Sequence, residues 1–116
     1  MNYKLKKMMD IGRINIESIE PREEIGYINF HISDKGVEIR DLWINFSSED
    51  KNFRGKGYGS VLVREVINHA KDIKAKSIFG HTQIDDTPVH SFYRKHGFIF
   101  EDKGKNGGIN FHQPLN

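Results

Sequence analysis

The stretch Phe53-Arg54-Gly55-Lys56-Gly57-Tyr58-Gly59-Ser60 constrains the fold more than any other part of the chain. Its glycines alternate with Lys56 and Tyr58, so the backbone can turn tightly and a ligand can lie against the peptide planes. Behind it Leu62, Val66, Ala70 and Ile73 recur at helical spacing, with Val63 and Ile67 beside them. Arg64, Glu65, Asn68, His69, Lys71 and Asp72 take the other face. That pattern predicts an amphipathic helix of about 15 residues. The first-turn amides of such a helix point back at the glycine loop, and the helix dipole adds about half a positive charge there. Arg54 and Lys56 add full charges, which completes the make-up of a phosphate cradle. On this stretch alone a plain glycine turn before a helix remains the alternative. Two phosphate motifs are excluded. No Gly-Lys-Ser/Thr follows at Walker spacing. The dinucleotide fingerprint needs a glycine where Ser60 stands and a strand running straight into the loop, whereas the polar Ser47-Ser48-Glu49-Asp50-Lys51-Asn52 intervenes.

The length of 116 residues suits one domain, residues 1–116, with a modest core. No apolar stretch approaches the roughly 20 residues that span a bilayer, so no membrane association is expected. The basic start Met1 to Met9 lacks the apolar centre of a secretory signal. The absence of cysteine removes disulfides, thiolate metal sites and a thiol nucleophile, and fits a cytoplasmic location. A net charge of +2, with lysine and arginine scattered, argues against a nucleic-acid partner. Six histidines are spread along the chain without metal spacing, so no metal is expected. No Gly-x-Ser-x-Gly elbow is present, which leaves covalent acyl-enzyme chemistry without a nucleophile.

Tyr3 to Met9 alternates weakly as a first edge strand, and Asp10-Ile11-Gly12 is a turn. Ile14 and Ile16, then Ile28, Phe30 and Ile32, alternate with polar or aromatic neighbours as half-buried strands. Ser33-Asp34-Lys35-Gly36 has hairpin composition. Val37 to Phe46 is a fourth strand with a parity break: Val37 and Ile39 share one phase, Leu42, Ile44 and Phe46 the other. One extra residue near Arg40-Asp41 would reconcile them and predicts a β-bulge; a strand buried on both faces would show the same residues. Ser77 to Thr82 is a fifth strand. Asp85, Asp86 or Thr87 caps a short helix carrying Pro88 in its first turn and Val89, Phe92, Tyr93 and His96 along it, ended by Gly97. Phe98 to Phe100, a long turn from Asp102 to Gly108, and Ile109 to His112 complete a mixed α/β or α+β layered domain.

Two motifs stand at a telling distance. Arg54-x-x-Gly57-x-Gly59 opens the first helix, and Asp86-x-x-Val89-x-x-Phe92-Tyr93-x-Lys95-x-Gly97-Phe98 spans the second. Together they resemble the GNAT family of N-acetyltransferases, over about Ile25 to Phe111. The resemblance implies a mixed, mostly antiparallel sheet of about seven strands with two main helices. It departs from the family between the first and second strands, where Asp10-Ile11-Gly12 leaves no room for the usual first two helices. The acceptor cleft should then be open, or completed by another subunit in a homodimer.

By the same resemblance the cosubstrate is acetyl-CoA. Its pyrophosphate would sit on the amides of Arg54, Gly55, Lys56, Gly57, Tyr58, Gly59 and Ser60, and its pantetheine arm would run beside the fourth strand, pairing with backbone near Trp43, Ile44 and Asn45. Asp86 stands at the second helix's cofactor-contacting position, where the family has asparagine; its charge is unfavourable near CoA phosphates. The implied reaction is direct attack of a primary amine, small molecule or peptide, on the thioester. Tyr93 would protonate the leaving thiolate, with a core aromatic as its plainer reading. Asp41 is the best-placed base, with Glu38 and His81 as rivals. The competing functional readings are a non-catalytic acyl-CoA-binding module and, against the charge distribution, a nucleic-acid binder.

Overall fold

The structure, a computed structural model, describes residues 2–46, 53–83, 85–103 and 108–115. The polar stretch 47–52 and residues 104–107 of the predicted long turn lie outside the described residues. The elements are β1 (Tyr3–Met8), a 3-10 turn (Met9–Ile11), β2 (Arg13–Ser18), β3 (Glu23–Ser33), β4 (Gly36–Ile44), α1 (Tyr58–Asp72), β5 (Ser77–Gln83), α2 (Thr87–Lys95), β6 (Ile99–Lys103) and β7 (Gly108–Pro114). They form one seven-stranded sheet in the order β1-β2-β3-β4-β5-β7-β6. Every neighbouring pair is antiparallel except β4 and β5, which are parallel and joined by the crossover helix α1.

Alternation decides which side chains face α1. Ile14 and Ile16 on β2, Ile28 and Phe30 on β3, Val37 and Ile39 on β4, and Ile78 on β5 are all buried with Leu62, Val63, Val66 and Ala70 of α1 in one core. Each fully buried aliphatic of this kind contributes about 1.5–3 kcal/mol. Ile32 keeps the same phase but is 43% exposed beside the hairpin, so the expected burial of that strand ends at Phe30. The fourth strand is also shorter than Val37 to Phe46: it stops at Ile44, and Phe46 is exposed beyond it.

The second helix lies next to the first on the same face. The ring Nε2 of His96 and Oγ of Ser60 are 2.8 Å apart, and the Phe92 ring lies over Gly59. The Gln113 amide donates to the His96 carbonyl at 2.8 Å and holds the end of α2 against β7. The opposite face of the sheet carries Arg13, Asn15, Tyr27, Asn29, Asp41 and Trp43 by strand alternation, and among the described residues no helix covers it.

Two irregularities open the sheet at its centre. Asn29 pairs with Asp41 but Phe30 pairs with Ile39, so Arg40 is the extra residue of a bulge on β4. The parity break resolves as a bulge at that residue. The parallel pairing of β4 with β5 covers only Val37 with Ile78 and Glu38 with Phe79. Beyond it β4 runs on to Ile44 while β5, paired with β7 on its other edge from Ser77 on, continues to Gln83, and the two strands part. Gly80 lies just past the point of parting. A Cβ there would fall 2.5 Å from Cζ of Phe111 and 3.0 Å from the Ile39 carbonyl oxygen.

Two expectations follow. Gly80→Ala overpacks a site where Phe111 is wedged against Tyr93, Phe98 and Phe100, and should lower the unfolding free energy in denaturant titration by about 1–3 kcal/mol. The His96 imidazole is held below its usual pKa of 6.5 by burial first, then by the charges of Lys95 and Arg64. The unfolded chain therefore binds the extra proton first. Stability from this group is present above the ordinary value and is lost as pH falls from there through the lower folded value. Thermal unfolding of His96→Gln should show a shallower fall over that window than the wild type.

Candidate active site

The parting strands frame a cleft of about 720 Å³. One wall is β4 from Ile39 to Ile44 with Asp41; the other is His81 and Thr82 of β5, with Phe111 beneath. The loop Phe53 to Ser60 and the first two turns of α2 close the helix side. Past Glu38, β4 has no strand on its β5 side among the described residues, so backbone groups that point that way are open to an extended ligand, apart from the Ile44 carbonyl, which accepts from Arg54 Nε.

The two helix starts differ in a way that matters. Asp86 is the N-cap of α2, and its Oδ1 accepts from the Val89 amide at 3.4 Å. At α1 the N-cap is Gly57 with φ of 89°, and no side chain caps it. The first intrahelical bond runs from the Val61 amide to the Gly57 carbonyl at 3.2 Å, so the Gly59 and Ser60 amides lie ahead of it at the cleft. Cβ atoms added at Gly55 or Gly57 would meet nothing within 4 Å, which leaves room against the loop for a bulky anion. Arg54 is anchored beside it, its Nε donating to the Ile44 carbonyl at 3.3 Å and its guanidinium 3.6 Å from the Phe46 ring centroid.

Tyr93 is 6% exposed and forms the floor of the cleft. Its ring stacks on Phe111 with centroids 4.2 Å apart, and Phe92 and Phe98 meet it edge-on. Burial first, and then the negative charge of Asp41, push its hydroxyl well above the usual tyrosine pKa, so it is held protonated. Asp41 faces the same cleft, and its Oδ2 accepts from the Tyr27 hydroxyl at 3.1 Å.

Of the residues expected at the site, Asp41, Ile44, Arg54, Gly55, Gly57, Tyr58, Gly59, Ser60, Asp86, Tyr93 and His81 line one cleft. Trp43, Asn45 and Lys56 do not. Trp43 alternates to the helix-free face, where its ring lies 5.5 Å from that of Tyr27. The Asn45 amide donates to the Ile25 carbonyl at 2.7 Å, and its own carbonyl accepts from the Phe53 amide at 2.9 Å, so both are committed within the chain. Lys56 is exposed, with Nζ 6.0 Å from the Phe53 ring centroid. Glu38 lies in a smaller hollow on the helix-free face with Glu101, Asn110 and His112, and pairs with Arg40 Nε at 3.0 Å. Phe111 under Tyr93, His96 on Ser60 and Tyr27 on Asp41 were not singled out from the sequence. Each acts through a contact between residues at least 14 positions apart, which periodicity does not report. Among the described residues no group of three or more His, Cys, Asp or Glu is placed to hold a metal ion. No helix among them is long and apolar enough to cross a membrane.

Comparison with solved structures finds the same fold in several acetyltransferases. The PaiA N-acetyltransferase of Thermoplasma acidophilum, in complex with coenzyme A, matches with a TM-score of 0.75 at 18% identity, over 89% of this chain and 60% of that one. The NatC complex bound to Gag peptide and CoA matches with a TM-score of 0.73 at 19% identity, over 90% and 71%. The ribosomal-protein-S18-alanine N-acetyltransferase of Escherichia coli matches with a TM-score of 0.72 at 10% identity, over 88% and 67%. This chain thus spans three fifths of the Thermoplasma protein's length. A comparison with curated protein sequences finds no match. The sequence profile of the Acetyltransferase (GNAT) family matches residues 20–98, from the end of β2 through both helices to the edge of β6. By that match, and with the fold that goes with it, the chain belongs to the GNAT acetyltransferase family.

Proposed function

We propose that the chain is an acetyl-CoA-dependent N-acetyltransferase acting on a primary amine. The observation that carries this is the parting of β4 from β5 into a cleft that has an uncapped helix start at one end and a protonated, buried tyrosine in its floor. The loop from Arg54 to Ser60 would hold the diphosphate on backbone amides and the α1 dipole. The pantetheine arm would pair with β4 beyond Glu38, at Leu42 and the Ile44 amide rather than at the Ile44 carbonyl, which Arg54 holds, or the committed backbone of Asn45. Asp86 would lie near the cosubstrate without donating to it, because a carboxylate only accepts, and its Oδ1 already caps α2.

In the reaction, Asp41 takes one proton from the acceptor's ammonium group and so frees the nitrogen lone pair. The nitrogen attacks the thioester carbon, a C–N bond forms, and the carbonyl oxygen takes negative charge that β4 amides can stabilise. The C–S bond then breaks, and the thiolate takes the proton of Tyr93. The nitrogen loses its second proton, Tyr93 is reprotonated, and one proton goes to solvent overall. The two side chains help each other electrostatically. The Asp41 charge is one of the two causes that hold the Tyr93 proton, and it is cancelled when Asp41 is protonated. Tyr93 thus becomes the better acid after the base has worked.

The bare helix-free face favours a second reading, a module that binds acyl-CoA without transferring the group. Between β1 and β2 stands only the 3-10 turn Met9–Ile11, so no helices from that connection wall the acceptor side.

Binding of CoA measured by calorimetry, with thiol release followed against 1,4-diaminobutane, benzylamine, an Nα-acetyl-lysine amide and an alanine-leading peptide, separates the two. Binding with thiol release on an amine supports the enzyme, and binding with no release on any member of the panel supports the module. Tyr93→Phe should bind CoA as the wild type does and lose turnover by roughly 10²–10⁴-fold, the range of a general acid. Turnover unchanged in Tyr93→Phe removes the acid role.

A further inference from the structure

The helix-free face of the sheet holds a network that ends in the cleft and has no part in the core. The Arg13 guanidinium on β2 lies 3.9 Å from the centroid of the Tyr27 ring on β3. Its Nε donates to Asn15 Oδ1 at 2.8 Å, and a terminal nitrogen donates to Asn29 Oδ1 at 3.3 Å, so the cation is pinned in place above the ring. Trp43 of β4, directly across from Tyr27 in the register, packs on the same ring at 5.5 Å. Held between these groups, Tyr27 has little rotational freedom left. Its hydroxyl donates to Asp41 Oδ2 at 3.1 Å. The bulge at Arg40 makes this contact possible by bringing Asp41 opposite Asn29, two residues along β3 from Tyr27 on the same face.

We infer that Tyr27 is the positioning residue for Asp41: clamped between Arg13 and Trp43, it aims the Asp41 carboxylate at the cleft. This rests on the reading of Asp41 as the base. An exposed aspartate on an edge-like strand has several rotamers of similar energy, and only some of them point one oxygen at an incoming amine. The Tyr27 hydroxyl occupies Oδ2 and leaves Oδ1 to the acceptor. The phenol remains a donor because burial, the hydrogen bond to Asp41 and the charge of Asp41 all raise its pKa above 10. The charged and titratable groups around the pair are Arg13 from β2, Glu24 from β3, Arg40 and Glu38 from β4, His81 from β5 and Tyr93 from α2. Arg40 is engaged by Glu38 at 3.0 Å, so Tyr27 is the donor that the structure gives to Asp41.

The test is kcat at saturating acetyl-CoA and saturating amine, using whichever member of the four-amine panel turns over fastest. Tyr27→Phe keeps the ring, and with it the stacking of Arg13 and Trp43. With the hydrogen bond to the carboxylate gone, kcat should fall about three- to ten-fold. CoA affinity should be unchanged, because Tyr27, Arg13 and Trp43 lie on the opposite face from the glycine loop. In an Asp41→Asn background the same Tyr27→Phe change should have no further effect on kcat. A kcat that falls in Asp41→Asn but not in Tyr27→Phe overturns the positioning role and leaves Asp41 as the base. A kcat unchanged in Asp41→Asn removes the base assignment and this inference with it. A loss in Tyr27→Phe that persists at the same size in Asp41→Asn marks Tyr27 as merely structural and overturns the inference too.

Discussion

The parting of β4 from β5 is the constraint on which the rest of this molecule depends. Parallel pairing lasts for two residues on each strand, after which the sheet has to choose between closing and opening. Closing is prevented from both sides. On β4 the bulge at Arg40 turns the strand away. On β5 the strand follows β7, and the Phe111 ring fills the space over Gly80 where a side chain would otherwise sit. A split sheet exposes unpaired backbone, which costs free energy unless water or a ligand satisfies it. An extended ligand with amide groups can supply those bonds, which makes the split in the sheet a candidate binding surface.

The helices complete the cleft in opposite ways. Helix α2 satisfies its own first turn with Asp86 and offers the cleft its side chains, Tyr93 above all. Helix α1 starts on a left-handed glycine without a side-chain cap and offers its backbone. The two are held in register by His96 against Ser60 and by Phe92 over Gly59, so the glycine-loop end and the Tyr93 end of the cleft are parts of one packed unit. Tyr93 gains its raised pKa from that same packing, since the aromatic wall of Phe92, Phe98 and Phe111 excludes the water that would stabilise a phenolate.

Much of this was legible in the residues. Helix α1 and its glycine loop follow from spacing, and α2 follows from Asp86 with Pro88 and Gly97 at its ends. The bulge on β4 follows from a parity break, because a period of two leaves no other way to bury Val37, Ile39, Leu42 and Ile44 on one face. What the residues alone leave open is set by register and packing. The Trp43 side chain turns after the bulge to the helix-free face and onto Tyr27. Of the backbone expected to pair with the pantetheine arm, the Asn45 amide and carbonyl are bonded to Ile25 and Phe53. Asp86 stands at the cleft, where its Oδ1 accepts from the Val89 amide.

Local features can be read from the order of residues: where helices start and stop, which strand faces are apolar, where one residue is surplus, and that a loop of glycines precedes a helix. These depend on neighbours within a few positions, and chain periodicity records them. Folding in three dimensions settles how far β4 and β5 stay paired, which oxygen of Asp41 is engaged, and what the Tyr93 ring rests on. Those outcomes depend on contacts such as Tyr27 with Asp41, Ser60 with His96 and Tyr93 with Phe111, which exist only once the sheet register and the helix packing are in place. The chemistry of the cleft is set by those long-range contacts, because the field and the solvent access at a titratable group come from whatever surrounds it in space.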